Sequence, residues 1–198
     1  MKKNLIQSIK DFVFFPIRIL FSHETVEKLG LTSIRQERFN VCLPYLGDKV
    51  LDIGCGPGNK FIRRLGRGVG LDPYFSEDAD VVAGAEKIPF ANEEFQTITI
   101  MVTLRLVEDK LAALKESHRV LTDDGFLLIL ENHPFLNSFR QALLWWDPCR
   151  GLKVKQGLTK KEIVNLAESS GFKLVKKVRY IYGLSLMYIL VKKDYENK

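Results

Sequence analysis

Residues 50–58 read Val-Leu-Asp-Ile-Gly-Cys-Gly-Pro-Gly, a short apolar run that ends in a Gly-x-Gly-x-Gly turn. Glycines at Gly54, Gly56 and Gly58 let the backbone approach a ligand closely and point its N–H groups at it. Two ligand classes use such a turn, dinucleotides and S-adenosylmethionine (SAM). A dinucleotide site wants a third glycine at the position after Gly58, where this chain has Asn59. Asp52 weighs more. A carboxylate two residues before the first glycine repels a pyrophosphate, whereas SAM brings an ammonium and a sulfonium and no phosphate. Asp72, at the end of the next apolar run, can accept both ribose hydroxyls, a role common to SAM and NAD sites.

Methyl transfer from SAM is an in-line displacement at carbon. It asks the protein for alignment and, with some acceptors, for removal of a proton, but for no covalent nucleophile and no metal. Ligands of a doubly wound sheet bind beyond the carboxyl ends of the strands, which points to Met101–Arg105 and to Glu131-Asn-His-Pro134. His133 is a candidate general base, with a loop-shaping role before Pro134 as the alternative. Glu131 is a candidate acceptor-binding group, or else a helix cap. Arg105 can neutralise an anionic acceptor or pair with Glu108 at the surface. Trp145 and Trp146 can wall an apolar pocket or simply pack.

The elements that must hold these residues follow from periodicity. Leu5, Ile9, Phe12, Val13, Ile17 and Leu20 predict an amphipathic helix over 4–21, broken near Pro16, and a second helix fits 32–45. Strands are expected at 49–53, 68–72, 81–82, 96–102 and 126–130, with helices at about 58–65 and 109–121 and a turn at Thr122–Gly125. A helical pattern returns at 136–146. Thr159 and Glu162 have capping-box spacing, Gly171 suits a helix end, and strands at about 173–180 and 185–192 close the chain. Alternating strands and helices across 48–131 imply an α/β fold. We expect a doubly wound, seven-stranded, mostly parallel sheet with an antiparallel C-terminal edge strand. Residues 1–46 read as a helical extension of a 47–198 core, the whole forming one domain.

The ordered motifs resemble the class I SAM-dependent methyltransferase superfamily, in particular its broad small-molecule group. Val50–Gly58 looks like the family's first motif, Gly70-Leu-Asp-Pro-Tyr74 its second, and Ala85-Glu-Lys-Ile-Pro-Phe90 the segment beside the adenine. Phe95–Ile100 looks like its fourth strand and 114–126 like the helix and turn before the fifth. The resemblance implies that Asp52 and Gly54, Cys55, Gly56 and Gly58 hold the methionine part, Asp72 and Pro73 the ribose, and Ala85 and Glu86 the adenine, with Met101 and Val102 at the edge of the site. It also implies a Rossmann-like methyltransferase fold and a small-molecule, lipid-like acceptor. Three positions depart from the family pattern: Gly84 where Asp is frequent, Gln96 where Asp is frequent, and Thr103–Val107 where a histidine often follows the fourth strand.

Composition sets the outer bounds. Hydrophobic residues are 46% and charged residues 27% of 198, which is globular and not disordered. Three cysteines without a C-x-x-C pair favour a reduced, cytoplasmic setting with no zinc site. Residues 48–149 carry 11 Lys/Arg against 16 Asp/Glu, whereas 150–198 carry 12 against 4. The acidic middle suits a cationic ligand. The basic C-terminal part, with Lys153, Lys155, Lys160 and Lys161, lacks the interleaved aromatics of a nucleic-acid surface. The apolar N-terminal stretch is interrupted by Lys10, Asp11 and Arg18, too short to span a bilayer and without a cleavage signal. It can pack as a lid, or lie at a membrane surface with Lys2, Lys3, Lys10 and Arg18 toward anionic lipid. Rival readings of the whole are an NAD-dependent oxidoreductase, disfavoured by Asp52 and Asn59, and a non-catalytic binding or scaffold protein that keeps the fold.

Overall fold

The structure is a computed structural model that describes residues 5–74, 79–132 and 157–193. Four helices come first: α1 (Leu5–Val13), α2 (Phe15–Leu20), α3 (His23–Lys28) and α4 (Ile34–Cys42), followed by a 3-10 turn at Leu43–Tyr45. The alternating part has β1 (Val50–Ile53), α5 (Lys60–Leu65), β2 (Val69–Asp72), β3 (Val81–Val82), β4 (Phe95–Met101), α6 (Lys110–Val120) and β5 (Leu121–Asn132). Helix α7 (Lys160–Ser169) and strands β6 (Phe172–Tyr180) and β7 (Ser185–Lys192) close the described chain.

Seven strands form one sheet in the order β3-β2-β1-β4-β5-β7-β6. The first five are parallel, and β7 runs antiparallel to both its neighbours. The antiparallel strand is thus inserted between β5 and the edge strand β6. Side chains alternate across the sheet and make two cores. Leu51, Ile53, Ile98, Ile100, Leu127 and Ile129 share one with Leu114 of α6 and Ile163 of α7. Leu128, Leu130, Met187 and Ile189 share the other with Cys42 of α4, and Phe15 of α2 packs against it. Chain order reverses between β1 and β4, at the middle of the sheet, the place beyond the strand ends where doubly wound sheets take their ligands.

Several boundaries differ from the sequence pattern for physical reasons. Pro44 converts the end of the expected 32–45 helix into a 3-10 turn. Helix α3 goes unseen in the sequence because a six-residue helix with one buried apolar side chain, Val26, has no period to display. The turn expected at Thr122–Gly125 is extended chain inside β5, which makes up for its extra residues with a register jump between Phe95 and Thr97 of β4. Thr159 and Glu162 form the expected capping box. The pattern at 136–146, with Trp145 and Trp146, lies outside the described residues.

The N-terminal helices are tied down by polar groups. Arg18 is fully buried: its guanidinium donates to Glu37 Oε1 at 2.7 Å, to the Thr32 carbonyl at 2.7 Å and to the Asp11 carbonyl at 3.0 Å. Glu37 Oε2 accepts from the Ile181 N–H at 3.1 Å, so the same carboxylate reaches the turn between β6 and β7. Arg18 is therefore an internal cation, not the surface one its place in a basic amphipathic pattern suggests. Removing one partner of such a pair strands a buried charge, so Glu37→Ala is expected to cost about 3–5 kcal/mol of unfolding free energy, read as a lowered urea midpoint with an unchanged slope.

Candidate functional site

Three glycines of the first loop have positive φ, 74° at Gly54, 65° at Gly56 and 83° at Gly58. At Gly54 close approach adds to conformation, because a Cβ there would run into the Thr103 side chain. Thr103 in turn donates to the Gly54 carbonyl (3.3 Å) or the Met101 carbonyl (3.1 Å), so the loop after β4 is pressed onto the loop after β1. The residue between, Val102, has φ 61°, a strained value for a β-branched side chain, and its N–H donates to the Leu130 carbonyl at 2.7 Å. Strain of this kind is held by its surroundings and gathers at functional sites.

Asp72 finishes β2 under the same loop. One carboxylate oxygen accepts from the Gly56 N–H at 2.9 Å and the other from the Tyr74 N–H at 3.1 Å. Each oxygen has a further lone pair, enough for two vicinal hydroxyls. Pro73 beside it is exposed and Cys55 half-buried. The Cys55 thiol is pushed up to about 12 by burial and by Asp52, Asp72 and Asp80, so it stays protonated and is no nucleophile.

Asn59, read from the sequence only as an absent glycine, is a fully buried peg. Its amide donates to Asp80 at 2.8 Å, and Asp80 also accepts from the Gly70 N–H at 2.8 Å. A Cβ at Gly70 would collide with Asn59, so the strand supplies here the smallness that a third loop glycine supplies in dinucleotide sites.

Asp52 points to the α4 side of the sheet and is almost completely buried. The Thr99 hydroxyl of β4 donates to it at 2.6 Å. Burial pushes its carboxyl up to about 7, against the opposing pull of the Thr99 hydrogen bond and of Arg38 on α4, with Asp72 adding to the rise. A cation delivered nearby would pull it back to the ionised form. The buried Asp52 and Asp72 carboxylates beneath the turn suit a ligand that carries positive charge and a ribose, which is the chemistry of SAM.

Ala85 is buried and Glu86 half-buried in the turn after β3. This turn is stapled from behind: Glu116 of α6 accepts from the Ile88 N–H at 2.9 Å, and Arg119 donates to the Ile88 and Phe90 carbonyls, both at 2.8 Å. Two departures from the family pattern have structural reasons. Gly84 leaves room for the Glu86 carboxylate, which a Cβ would meet at 2.9 Å. Gln96 is at the far end of β4 from the loops, where its side-chain oxygen accepts from the Asp48 N–H at 2.8 Å and the Lys49 N–H at 3.3 Å.

Glu131, near the end of β5, faces the other side of the sheet, toward α6 and α7. It is 2% exposed, and neither carboxylate oxygen has a hydrogen-bond partner among the described residues. Burial pushes it up to about 7, opposed by Arg105 and then Arg38. Arg105 is turned inward, with Nε and Nη1 buried and without a partner among the described residues, and does not form the surface pair with Glu108 that its sequence position allows. A cavity of about 590 Å³ between α6 and α7, lined by Arg105, Lys110, Leu111, Leu158, Glu162 and Leu166, adjoins this side of the site. His133 lies outside the described residues. Sequence reasoning missed Thr99, Thr103, Arg38 and the Glu116–Arg119 staple, whose residue types are ordinary and whose roles exist only once strands and helices are paired.

Comparison with known proteins agrees with this geometry. A family model described as "Methyltransferase domain" matches residues 25–177. The ubiquinone/menaquinone biosynthesis C-methyltransferase UbiE of Coxiella burnetii is 35% identical over 127 residues, covering 62% of this chain and 48% of that protein. The chain thus spans about half the length of this curated relative. Among solved structures, a SAM-dependent methyltransferase of Thermotoga maritima superposes with TM-score 0.63 at 19% identity, covering 93% and 96% of the two chains. The [4+2]-cyclase SpnF superposes with TM-score 0.62 at 12% identity over 79% and 80%. These two likenesses show the fold.

Two outcomes are expected for Asp52. The unfolded carboxyl loses its proton near 3.8 and the folded one near 7, so the unliganded protein loses stability as pH rises between those values, and Asp52→Asn flattens that fall in thermal unfolding. For a cationic ligand the sign reverses: SAM affinity, measured by calorimetry, rises by about tenfold from pH 6 to pH 8 and is at least about tenfold weaker in Asp52→Asn at pH 8.

Proposed function

The chain belongs to the methyltransferase-domain family, and from that premise we propose that it transfers a methyl group from SAM to a small, lipid-like acceptor. The observation that carries this reading is the turn Gly54–Gly58 between two carboxylates, the buried Asp52 and the loop-bound Asp72, at the switch between β1 and β4. When bound, SAM supplies an electrophilic methyl on a sulfonium, with a neutral thioether as leaving group. In this reading Asp52 balances the positive charge above Gly54, Cys55, Gly56 and Gly58, while Asp72 and Pro73 take the ribose. Ala85 and Glu86 flank the adenine, and Met101 and Val102 close the site beside β4. Residues 1–46 serve as an extension of the 47–198 core.

On the acceptor side, Glu131 is the group this reading assigns to the proton. Buried and without a hydrogen bond among the described residues, its carboxylate can receive the proton an acceptor releases as its bond to the methyl forms. Arg105, whose charge acts on Glu131 and whose Nε and Nη1 have no partner among the described residues, can hold an acceptor oxygen as negative charge gathers there. The name of the Coxiella burnetii relative, a C-methyltransferase of quinone biosynthesis, supports an acceptor that is apolar in its bulk. Among the described residues no helix is long and apolar enough to cross a membrane. A peripheral place at a membrane surface, through residues 4–21, belongs to the same reading because apolar acceptors are met there. The likeness to a cyclase shows that this fold alone does not select methyl transfer, and so chemistry must be read from the products.

The test is incubation with isotopically methyl-labelled SAM and a lipid extract, followed by mass analysis for a product that has gained one methyl. Methylated product is expected, and tight SAM binding without any methylated product would instead favour the scaffold reading. At saturating SAM, where Asp52 is held ionised, turnover should rise as pH passes about 7 with the ionisation of Glu131. Glu131→Gln should lower it by roughly a hundredfold or more, with SAM affinity unchanged.

A further inference from the structure

The N-terminal helices carry their polarity inside out. On α1, Asp11 is completely buried and Gln7 half-buried, while Leu5, Ile6, Ile9, Phe12 and Val13 are each more than half exposed. The polar side is the one held to the protein. The Gln7 amide donates to Asp11 Oδ1 at 3.0 Å and to the Gly30 carbonyl at 3.1 Å, and the Thr32 N–H donates to Asp11 Oδ1 at 2.8 Å. On α2 the buried cation Arg18 holds the helix to Glu37 and Thr32. Phe14 and Phe21 extend the exposed apolar surface. So does Tyr182, whose ring meets Phe12 at 5.4 Å and Phe15 at 5.2 Å, edge to face. A soluble surface helix turns its apolar stripe inward. This one is fixed by a buried polar network with its stripe outward, so the orientation is built into the fold and is no accident of a loose terminus.

Charge says what covers it. The only acidic residue before Glu24 is Asp11, which is buried, and Arg18 is consumed by Glu37. The cations left are Lys10, exposed on α1, and Lys2 and Lys3, which precede it in sequence. An apolar stripe rich in phenylalanine whose own segment, up to Glu24, adds lysines and no exposed acid matches the boundary of an anionic bilayer, where rings enter the acyl region and ammonium groups meet phosphate. Helices of nine and six residues are too short to cross a bilayer, so the pair lies in the plane of the interface.

We infer that the outward face of α1 and α2, continued by Tyr182, is a preformed docking surface for an anionic lipid bilayer, which rests on the peripheral placement just proposed and names its surface. Deleting the helices is a poor test, since it would strip Arg18 from Glu37 and unfold what it means to probe. The exposed side chains can be changed instead. Flotation of the full chain with phosphatidylcholine vesicles, with and without phosphatidylglycerol, should show at least about tenfold stronger binding to the anionic vesicles, reduced by salt. Ile9→Asp with Phe12→Asp should abolish vesicle binding while the thermal midpoint and SAM affinity in solution stay as in the parent. Absence of binding to either vesicle, or binding that survives the double substitution, overturns the inference. So does a lipid-free dimer that the double substitution dissolves, because then a second copy covers the face. SAM affinity measured on the same samples separates the two readings: its loss in the parent would remove the methyl-transfer reading and leave the docking result standing.

Discussion

A carboxyl group sunk into the middle of a parallel sheet is costly unless something positive comes to meet it. Asp52 sits on β1 between β2 and β4, almost without solvent contact, and the protein gives it one hydroxyl hydrogen bond from Thr99 and the more distant pull of Arg38. No ion pair with Asp52 is formed among the described residues, and the group is left near neutrality. Around it the chain places a glycine turn rather than a cation of its own. The glycines keep Cβ atoms away, Asn59 and Asp80 pin the far side of the loop to β2, and Thr103 presses the β4 loop against Gly54. A buried acid under a backbone turn, with no ion pair among the described residues, is what a ligand bearing positive charge requires, and it works against a diphosphate.

The second buried carboxyl, Glu131, repeats the pattern on the opposite face of the sheet, two strands away. The two acids have similar elevated values for the same first cause, burial, and each feels Arg38. Their partners differ. Asp52 has a hydroxyl that favours its ionised form, whereas Glu131 has no hydrogen bond among the described residues and feels the charge of Arg105. In the methyl transfer we propose, the first environment suits a charge held against the cofactor and the second a proton that comes and goes. Helices α1 and α2 obey the same economy in reverse: Asp11 and Arg18 are bonded inside, and the surface turned outward is apolar apart from Lys10.

Much of this was legible in the residues themselves. The apolar run into Gly54–Gly58, the acids at 52 and 72 and the strand–helix alternation are local patterns whose physical meaning does not wait for folding, and the sheet was readable from them. The capping box at Thr159 and the break near Pro16 are likewise set by neighbours in sequence. What was not legible depends on partners far apart in the chain. Gln96 looks like a lost binding residue until its hydrogen bonds with the Asp48 and Lys49 N–H groups appear, and Arg105 looks like a surface partner of Glu108 until its Nε and Nη1 prove to be buried. Arg18 looks like a lipid-facing cation until Glu37, nineteen residues on, closes on it. In each case the side chain had two chemically sensible destinations, and packing chose.

The central claim is that Asp52 is half-protonated when the site is empty and becomes ionised when a cationic cofactor arrives. Counting protons tests it most directly. SAM titrations at pH 7 in buffers of different ionisation enthalpy give the number released per molecule bound. The account predicts release of about half a proton from the parent protein and none from Asp52→Asn. Equal release from both proteins, or tighter binding of a dinucleotide than of SAM, would contradict it.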